Sequence, residues 1–308
     1  MRSGTIALVG RPNVGKSTLL NALAGEDVSI ATPKPETTRQ RIVAIVTTDD
    51  AQGVFVDTPG IHRPRAALGK RMNDEALAGA RDADVVVVVA DGSMGREGLS
   101  RDRKVLEAVA GLAAPVVLAL NKVDLVRPKS QLLPMLEAYG AAHAFAEVVP
   151  VSSLTGDGVE NLRRACMERL PEGPALFPSD ALTDRPERFL AAERIRAAVI
   201  LETAEEIPYA AAVEIEKFDE RAPILHIQAT IHVERAGQKK IVVGKAGERI
   251  RAIGTRARKS IEHWLGRKVF LELWVKVSAD WTRSAVALDR LGYGSAPRSE
   301  RTARGAAR

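Results

Sequence analysis

The apolar positions in the first half of the chain form short β-branched runs that alternate with longer helical patterns. Strands are predicted at 5–9, 41–48, 53–57, 84–90, 116–120 and 147–151, and helices near 16–24, 66–80, 99–112, 129–141 and 159–170. The runs at 84–90 and 116–120 are almost continuously apolar, which is typical of parallel strands covered by helices on both faces. The pattern therefore predicts a doubly wound α/β domain that binds ligands at the carboxyl ends of its strands.

The second half of the chain has a different order of elements. A stretch with four prolines, 171–186, predicts a linker. A helix (186–205), two strands (211–218 and 224–234), a glycine-bounded turn, a second helix, a third strand (269–277) and a last helix (281–291) are predicted to follow. This order indicates a smaller α+β domain. The predicted divisions are 1–171 for the first domain, 172–186 for the linker, 187–294 for the second domain and 295–308 for a disordered basic tail.

Composition indicates that this two-domain protein works inside the cell. The only cysteine among the 308 residues is Cys166, which excludes a disulfide framework within the chain and a thiolate metal cluster. The first residues lead directly into a strand pattern, and no apolar run approaches the roughly 18 residues of a membrane span. We therefore expect a soluble cytoplasmic protein.

The charge is distributed unevenly between the two halves. Residues 1–186 hold 22 Lys and Arg against 23 Asp and Glu, a net charge of −1, whereas residues 187–308 hold 23 against 16, a net charge of +7. The segment 235–268 alone carries 11 basic and two acidic residues. A basic half indicates either a polyanionic partner or a solvated basic face, and charge alone leaves both interpretations open.

A phosphate-binding motif follows the first predicted strand. Residues 10–17, GRPNVGKS, match G-x-x-x-x-G-K-[ST] between a strand and a helix, which is the context that this motif requires. The loop would surround the phosphates of a nucleotide, while Lys16 neutralises the β- and γ-phosphates and Ser17 ligates Mg²⁺. The predicted nucleotide contacts here are Gly10, Arg11, Pro12, Asn13, Val14, Gly15, Lys16, Ser17 and Thr18.

A second motif ends the third predicted strand. In DTPG, residues 57–60, Asp57 is expected to add a magnesium contact and the Gly60 N–H to sense the γ-phosphate, with Thr58 and Pro59 between them. A loop threonine upstream, Thr38 rather than Thr37, is expected to ligate Mg²⁺ only while the γ-phosphate is present. The predicted metal ligands are therefore Ser17, Thr38 and Asp57.

Two further motifs select the base. In NKVD, residues 121–124, Asp124 would accept hydrogen bonds from the guanine N1–H and amine, which adenine does not offer. Asn121 would brace the phosphate loop or contact the base edge, and Lys122 would lie along the ring. The backbone of Ser152, Ser153 and Leu154 would approach the guanine carbonyl. The sequence thus predicts a site for GTP and GDP.

The residue after DTPG is unsuited to activating water. Many small GTPases have a glutamine there, whereas this chain has Ile61. His62 follows, in a loop where a histidine is more often a surface residue. Slow hydrolysis is therefore expected to depend on positioning, on Mg²⁺ and on an added positive charge, for which K⁺ held by Asn13 is a candidate. The predicted catalytic residues are Lys16, Thr38, Gly60 and Asn13.

A glycine loop lies in the basic segment. GKAG, residues 244–247, is predicted between a strand and a helix whose apolar stripe is Ile250, Ile253, Ala257, Ile261 and Leu265. Such a loop lets a single-stranded RNA backbone approach closely, as in KH domains. The predicted RNA-binding residues are Gly244, Lys245, Ala246, Gly247, Arg249, Arg251, Lys239 and Lys240. Aromatic residues make up only 4% of the chain, so Trp264, Trp274 and Trp281 are expected to be packing residues.

With these motifs in place, the chain resembles the Era family of bacterial ribosome-assembly GTPases over residues 4–294. The resemblance is carried by GRPNVGKST (10–18), PETTRQR (35–41), DTPGIH (57–62), NKVD (121–124), VSSLTGDGV (151–159), IVVGKAGERI (241–250), LELWVKV (271–277) and LGYG (291–294). It implies a type II KH domain that binds 16S ribosomal RNA near its 3′ end, a role in maturation of the 30S subunit, and loose contact with the inner membrane face. A monomer is the default expectation. Ser152-Ser153 departs from the Ser-Ala that is common in the family.

Three other interpretations remain open at this point. An ATP-using P-loop enzyme is disfavoured by Asp124, and nucleotide competition would test it. A metabolic GTP-dependent enzyme would need residues for a second substrate, and no such constellation is evident. The C-terminal domain is also compatible with protein docking, which RNA crosslinking at several salt concentrations would distinguish from RNA binding.

Overall fold

A six-stranded sheet forms the centre of the N-terminal domain. The computed structural model describes residues 1–34, 37–61, 66–203, 207–220 and 223–293, so His62, residues 35–36 of the PETTRQR segment, Gly294 and the tail 295–308 lie outside the described residues. The strands of this sheet are β1 (Arg2–Val9), β2 (Ile42–Thr47), β3 (Ala51–Asp57), β4 (Val85–Asp91), β5 (Val116–Asn121) and β6 (Glu147–Pro150). Their order is β2-β3-β1-β4-β5-β6. Strand β2 pairs antiparallel with β3, and the remaining pairs are parallel.

Helices cover both faces of this sheet, as the apolar runs predict. They are α1 (Lys16–Ala24), α2 (Ala67–Arg81), α3 (Arg96–Val109), α4 (Leu132–Ala142) and α5 (Val159–Met167). Helices α1 and α5 pack on one face and α3 and α4 on the other, so every residue of β4 is buried. Within the described part of the chain, no helix is both long and apolar enough to cross a bilayer.

The C-terminal domain is the smaller α+β unit that the pattern predicts. Its elements are α6 (Glu187–Glu202), α7 (Ile207–Ala210), β7 (Ala212–Asp219), β8 (Leu225–Val233), α8 (Ala236–Val243), α9 (Glu248–Leu265), β9 (Val269–Val277) and α10 (Ala285–Arg290). Strand β8 lies between β7, to which it is antiparallel, and β9, to which it is parallel. Ile253, Ala257 and Ile261 of α9 are fully buried in the same core cluster as residues of α6 and of this sheet.

The prediction that the glycine loop directly follows a strand was wrong. Helix α8 precedes the loop, which therefore joins two helices. The apolar run Ile241–Val243 has the appearance of a strand, but the chain has already turned into a helix before it. The Gln238 side chain starts that helix, since its Oε1 accepts the N–H groups of Glu234 (2.8 Å) and Arg235 (3.1 Å). A capping contact of this kind depends on the position of one side chain, so apolar periodicity does not reveal it.

The three tryptophans occupy different environments. Trp281 precedes α10, whose start was predicted four residues too early, and it is fully buried with its Nε1–H donating to the Ala210 carbonyl at 2.9 Å. Trp264 is half-buried under the Arg194 guanidinium, 4.2 Å from its ring centroid. Trp274 of β9 is 46% exposed, so the expectation that it packs in the core was wrong.

The proline-rich segment 172–186 lies against the N-terminal domain. Phe177 and Ala181 pack on an apolar patch of β2 and β3. The Ile45 N–H donates to the Leu182 carbonyl at 2.9 Å, and the Gln52 side chain accepts the Phe177 N–H at 2.9 Å. This segment thus extends along the outer sheet edge before α6 begins.

We predict that Trp281→Phe lowers the free energy of unfolding by about 1–3 kcal/mol, because the Ala210 carbonyl loses its buried donor and the smaller ring leaves a void. The matched variant Trp274→Phe changes an exposed ring and should stay within about 0.5 kcal/mol of the wild type. Urea unfolding followed by circular dichroism measures both. Equal effects of the two variants would contradict the assigned environments.

Candidate functional site

The phosphate loop occupies the turn between β1 and α1. Two of its residues adopt left-handed backbone conformations, Asn13 with φ 64° and Gly15 with φ 97°. A Cβ on Gly10 would lie 2.5 Å from the Val89 carbonyl oxygen, so the loop packs closely on β4. Val14 is buried, whereas Arg11, Pro12 and Thr18 are half-buried and Asn13 is exposed. This geometry surrounds the N-terminus of α1, where backbone N–H groups attract anions.

The Lys16 ammonium lies inside this loop. Its Nζ donates to the carbonyls of Gly10 (3.3 Å) and Arg11 (3.0 Å), and the side chain is buried. Burial lowers the pKa of Lys16 to about 8, although the nearby Asp57 carboxylate raises it in part. A buried ammonium whose positive charge is only partly balanced by a neighbouring carboxylate is suited to bind an anion such as a phosphate.

The three predicted metal ligands converge on one point. Ser17 Oγ lies 2.7 Å from Asp57 Oδ2, and Thr38 Oγ1 lies 3.1 Å from the same oxygen and 2.9 Å from Ser17 Oγ. The second carboxylate oxygen, Asp57 Oδ1, is buried without a hydrogen-bond partner among the described residues. Burial raises the pKa of Asp57, an effect that Lys16 opposes. A carboxylate and two hydroxyls of this kind fit Mg²⁺, which prefers oxygen ligands.

The structure distinguishes the two candidate threonines. The Thr37 hydroxyl turns away from Asp57, lying 2.6 Å from the Thr32 hydroxyl and 2.9 Å from the Lys34 carbonyl. Ser29 also contributes, because its Oγ donates to Asp57 Oδ2 at 3.1 Å. Ser29 is not among the predicted ligands, since an isolated serine in a loop carries no distinctive spacing.

The DTPG segment packs directly against the phosphate loop. A Cβ on Gly60 would lie 2.7 Å from the Pro12 nitrogen, which makes glycine necessary for this approach. The Thr58 hydroxyl donates to the Leu8 carbonyl of β1 at 2.8 Å, and Pro59 is buried. The Ile61 N–H donates to the Gly10 carbonyl at 3.0 Å, and the Ile61 side chain packs against the core cluster that includes α3 and α4.

The base-selecting motif is joined to the phosphate loop. Asn121 Nδ2 donates to the Val14 carbonyl at 2.9 Å, and its Oδ1 accepts the Ser153 N–H at 3.0 Å, so Asn121 acts as the brace between loops. The buried Ser152 donates its hydroxyl to Asp124 Oδ1 at 2.7 Å and thereby orients that carboxylate. Leu154 is 80% exposed beside them.

Three residues that support the site, Asp91, Asp102 and Tyr139, are not among the predicted site residues. Asp91 at the end of β4 accepts the Lys122 ammonium at 2.6 Å, while Lys122 also donates to the Asn13 carbonyl at 2.7 Å. Asp102 of α3 binds Arg11 Nε at 2.5 Å and Tyr139 OH of α4 at 2.6 Å. Asp91 stands at a strand end and was detectable there, but the pairing of Asp102 with Tyr139 needs the fold.

These elements enclose a cleft between the phosphate loop and residues 31–34 and 37–38. The residues lining it are Pro12, Asn13, Gly15, Lys16, Ser17, Thr18, Ala31, Thr32, Lys34, Thr37, Thr38 and Gly60. Lys16, the hydroxyls of the oxygen cluster and the Gly60 backbone therefore face a shared space.

The glycine loop of the C-terminal domain projects from its surface. Gly244, Ala246 and Gly247 have positive φ angles of 74°, 50° and 78°. Lys245 and Ala246 are exposed, as are Lys239 and Lys240 on α8.

Both of the predicted RNA-binding arginines brace the loop itself. Arg249 donates to the Ile241 carbonyl at 3.2 Å, and Arg251 donates to the Ala246 carbonyl at 2.8 Å. Gly244 packs so closely on Arg249 that an added Cβ would lie 2.9 Å from the Arg249 nitrogen. The loop is thus a preformed, exposed turn with basic residues around it.

Two family models match the chain. A model of 50S ribosome-binding GTPases matches residues 5–122, and a model of KH domains matches residues 206–282. The first covers the phosphate loop, DTPG and the start of NKVD. The second covers the glycine loop and the strands on both sides of it.

Similar proteins extend over nearly the whole chain. The GTPase Era of Geobacter sp. strain M21 is 47% identical over 293 residues, which cover 95% of this chain and 98% of that protein. The GTPase Era of Pseudomonas aeruginosa strain PAO1 is 47% identical over 294 residues, with 95% of each chain covered.

Two solved structures share the fold of this chain over nearly its whole length. A single-substitution variant of Aquifex aeolicus Era bound to GDP·AlF4⁻ superposes with a TM-score of 0.91 at 40% identity, covering 96% of this chain and 100% of that one. Era in complex with MgGDPNP and nucleotides 1506–1542 of 16S ribosomal RNA also gives 0.91 at 40% identity, covering 96% and 99%.

We predict that binding of GDP takes up protons near pH 8, because the phosphates raise the pKa of Lys16 from its value of about 8 in the free protein. At pH 8 the uptake should approach about half a proton, and affinity should fall as pH rises further, by at most about tenfold per pH unit. Calorimetry in two buffers of different ionisation enthalpy measures this uptake. A titration at pH 7, where Lys16 is already largely protonated, is the control. Equal uptake at both pH values would contradict the prediction.

Proposed function

The chain belongs to the Era family of GTPases, and on that premise we propose that it is a GTP-dependent switch that binds small-subunit ribosomal RNA through its KH domain. The enzymatic reaction is hydrolysis of GTP to GDP and phosphate. The observation that carries the proposal is the meeting of Ser17, Thr38 and Asp57 at one point beside Lys16. The RNA part is supported by the exposed glycine loop and its basic surroundings.

In the proposed nucleotide site, each residue has a role that follows from its position. Lys16 would neutralise the β- and γ-phosphates from inside the loop, and the Gly60 N–H would contact the γ-phosphate. Ser17, Thr38 and Asp57 would hold Mg²⁺, which neutralises the charge that develops on the phosphates. Thr38 belongs to a loop, so loss of the γ-phosphate would release it and change the shape of the switch.

Attack by water would depend on position and charge rather than on a side-chain base. Ile61 packs against the core cluster and its side chain offers no hydrogen bond. Asn13 Nδ2 donates to the Pro33 carbonyl at 3.2 Å, which links the phosphate loop to the loop between α1 and β2 that carries Thr38, called the switch loop below. In this arrangement K⁺ bound by Asn13 against the phosphates would supply the positive charge that an arginine supplies in other GTPases.

The chemistry of the glycine loop and the RNA bound to a similar protein both support RNA as the proposed partner. One Era structure holds nucleotides 1506–1542 of 16S ribosomal RNA. In this chain Lys239, Lys240 and Lys245 are exposed around a loop whose positive φ angles keep its backbone open to a ligand. A single-stranded RNA backbone is the ligand that suits such a loop.

The wider role is proposed from the family. We place the protein in the cytoplasm, as a monomer that assists maturation of the 30S subunit and contacts the inner face of the membrane only peripherally. The proposed division is a GTPase domain at 1–171, a connecting segment at 172–186 and a KH domain at 187–294, with a basic tail at 295–308.

We predict that Asp124→Asn changes the base preference from guanine to xanthine. GTP loses the carboxylate that pairs with its N1–H and amine, and its affinity should fall on the order of 10⁴-fold. Xanthosine triphosphate has a carbonyl in place of that amine, and the amide of the introduced asparagine can donate to it. Competition against a fluorescent nucleotide measures both affinities, and tight xanthosine triphosphate binding shows that the variant is folded. Unchanged GTP affinity would remove Asp124 from the base site.

We predict that Ala246→Asp weakens binding of a 3′-terminal small-subunit RNA fragment roughly tenfold, because a carboxylate would face the phosphate backbone. The matched variant Ala246→Asn has nearly the same shape without the charge and should bind within about twofold of the wild type. Asp and Asn both tolerate the left-handed conformation of this position. This pair is sharper than a substitution of Gly244, where a side chain would collide with Arg249.

Fluorescence anisotropy at several salt concentrations measures the RNA affinity of these variants, and GTP hydrolysis without RNA checks the N-terminal domain. If neither variant differs from the wild type in RNA affinity, the loop is not the RNA site. If the wild type binds no RNA, the C-terminal domain must be assigned to another partner, such as a protein.

A further inference from the structure

The loop that carries Thr38 is held by the C-terminal domain on both sides of that residue. Arg196 of α6 donates through Nη2 to the Thr37 carbonyl at 2.6 Å. On the other side, Arg39 donates to the Ala211 carbonyl at 2.7 Å. The Arg39 guanidinium also lies 5.8 Å and 5.9 Å from the ring centroids of Trp281 and Tyr293. Thr38 thus lies between two contacts that join the domains.

Arg196 is buried in a way that fits a positioning role. Its side chain is 1% exposed and pairs with Glu193, whose Oε1 accepts the Arg196 Nε–H at 2.8 Å. Glu193 fixes the guanidinium on its own helix, because its Oε2 also accepts from Nη2, and the same Nη2 donates to the Thr37 carbonyl. A charge-assisted hydrogen bond in a water-poor interface is stronger than a neutral one and has a defined direction.

The Thr37 carbonyl and the Thr38 nitrogen belong to one peptide plane. Fixing that carbonyl limits where the Thr38 Cα and its side chain can lie. The Thr38 hydroxyl lies 2.9 Å from Ser17 Oγ and 3.1 Å from Asp57 Oδ2, so a small rotation of the plane would separate it from both. The placement of the hydroxyl therefore depends on a residue of the other domain.

We infer that Arg196, although it belongs to the KH domain, is a positioning residue for GTP hydrolysis that keeps Thr38 at the metal position. The inference rests on the role of Thr38 given in the proposed function. Because coupling between sites is reciprocal, binding of GTP also strengthens the contact between α6 and the switch loop, whereas GDP does not. The KH domain is then part of the switch itself.

The chain offers a matched control on the same helix. Arg194 lies one position before Ile195 and two before Arg196, and it is 6% exposed. Its Nη2 donates at 2.6 Å to the carbonyl of Asp27, at the start of the loop and away from Thr38. Both arginines therefore make the same kind of bond between the domains, but only Arg196 holds the peptide next to Thr38.

The test compares Arg196→Met and Arg194→Met in the full-length protein. Arg196→Met should lower kcat for GTP roughly tenfold, the loss expected for one charge-assisted hydrogen bond, and weaken a nonhydrolysable GTP analogue relative to GDP. Arg194→Met should leave kcat and the GTP-to-GDP affinity ratio within about twofold. Arg196→Met leaves the Glu193 carboxylate buried without its partner. A second comparison therefore removes both buried charges: Glu193→Gln/Arg196→Met is measured against Glu193→Gln.

Thr38→Ala completes the experiment. If it lowers kcat and Arg196→Met adds nothing further in its background, the two residues act through one element and the inference holds. If Thr38→Ala is impaired while Arg196→Met matches the wild type and Glu193→Gln/Arg196→Met matches Glu193→Gln in kcat, the inference is wrong and the proposed function stands. If Arg194→Met and Arg196→Met are equally impaired, general loosening of the interface explains both, and the inference is overturned. If Thr38→Ala has no effect, the proposed role of Thr38 fails first.

Discussion

The buried Asp57 carboxylate holds the functional half of this molecule together. A charge removed from water is costly unless hydrogen bonds or cations surround it. In this chain the carboxylate accepts hydrogen bonds from Ser17 of α1 and from Ser29 and Thr38 of the switch loop, with the Lys16 ammonium nearby. Because this one buried carboxylate requires hydrogen-bond donors, the helix, the loop and the strand end meet at one point. The same oxygens suit a magnesium ion in the proposed nucleotide site.

This constraint reaches beyond the GTPase domain. Arg196 of the C-terminal domain binds the carbonyl of the residue before Thr38, and Arg39, the residue after it, binds a carbonyl of the C-terminal domain. Lys34 of the same loop donates to the Thr203 carbonyl. Helix α2 adds Leu68 and Met72 to an apolar cluster with Trp281 and Tyr293. The loop that carries Thr38 and the helix that follows DTPG thus both contact the C-terminal domain, which would give the proposed switch a physical route between nucleotide state and RNA binding.

Much of the nucleotide site was predictable because its residues lie in short motifs at strand ends. In a parallel sheet these ends meet at one edge, so Lys16, Asp57 and Asn121 had to be neighbours once the strands were placed. The KH domain was harder to predict. Helix α8 has an apolar end that resembles a strand, and Trp274 carries no local signal that separates an exposed ring from a buried one.

The sequence by itself determined the two fold classes, the guanine nucleotide motifs and the glycine loop, because each depends on periodicity or on spacing within about ten residues. The sequence already favoured Thr38 over Thr37, but only the tertiary structure shows that the Thr38 hydroxyl faces Asp57 and that Asp102 joins Arg11 to Tyr139. It alone paired Arg196 with the Thr37 carbonyl. Such contacts join segments far apart in the chain, and their partners are chosen by packing and burial, which leave no pattern in the local order of residues.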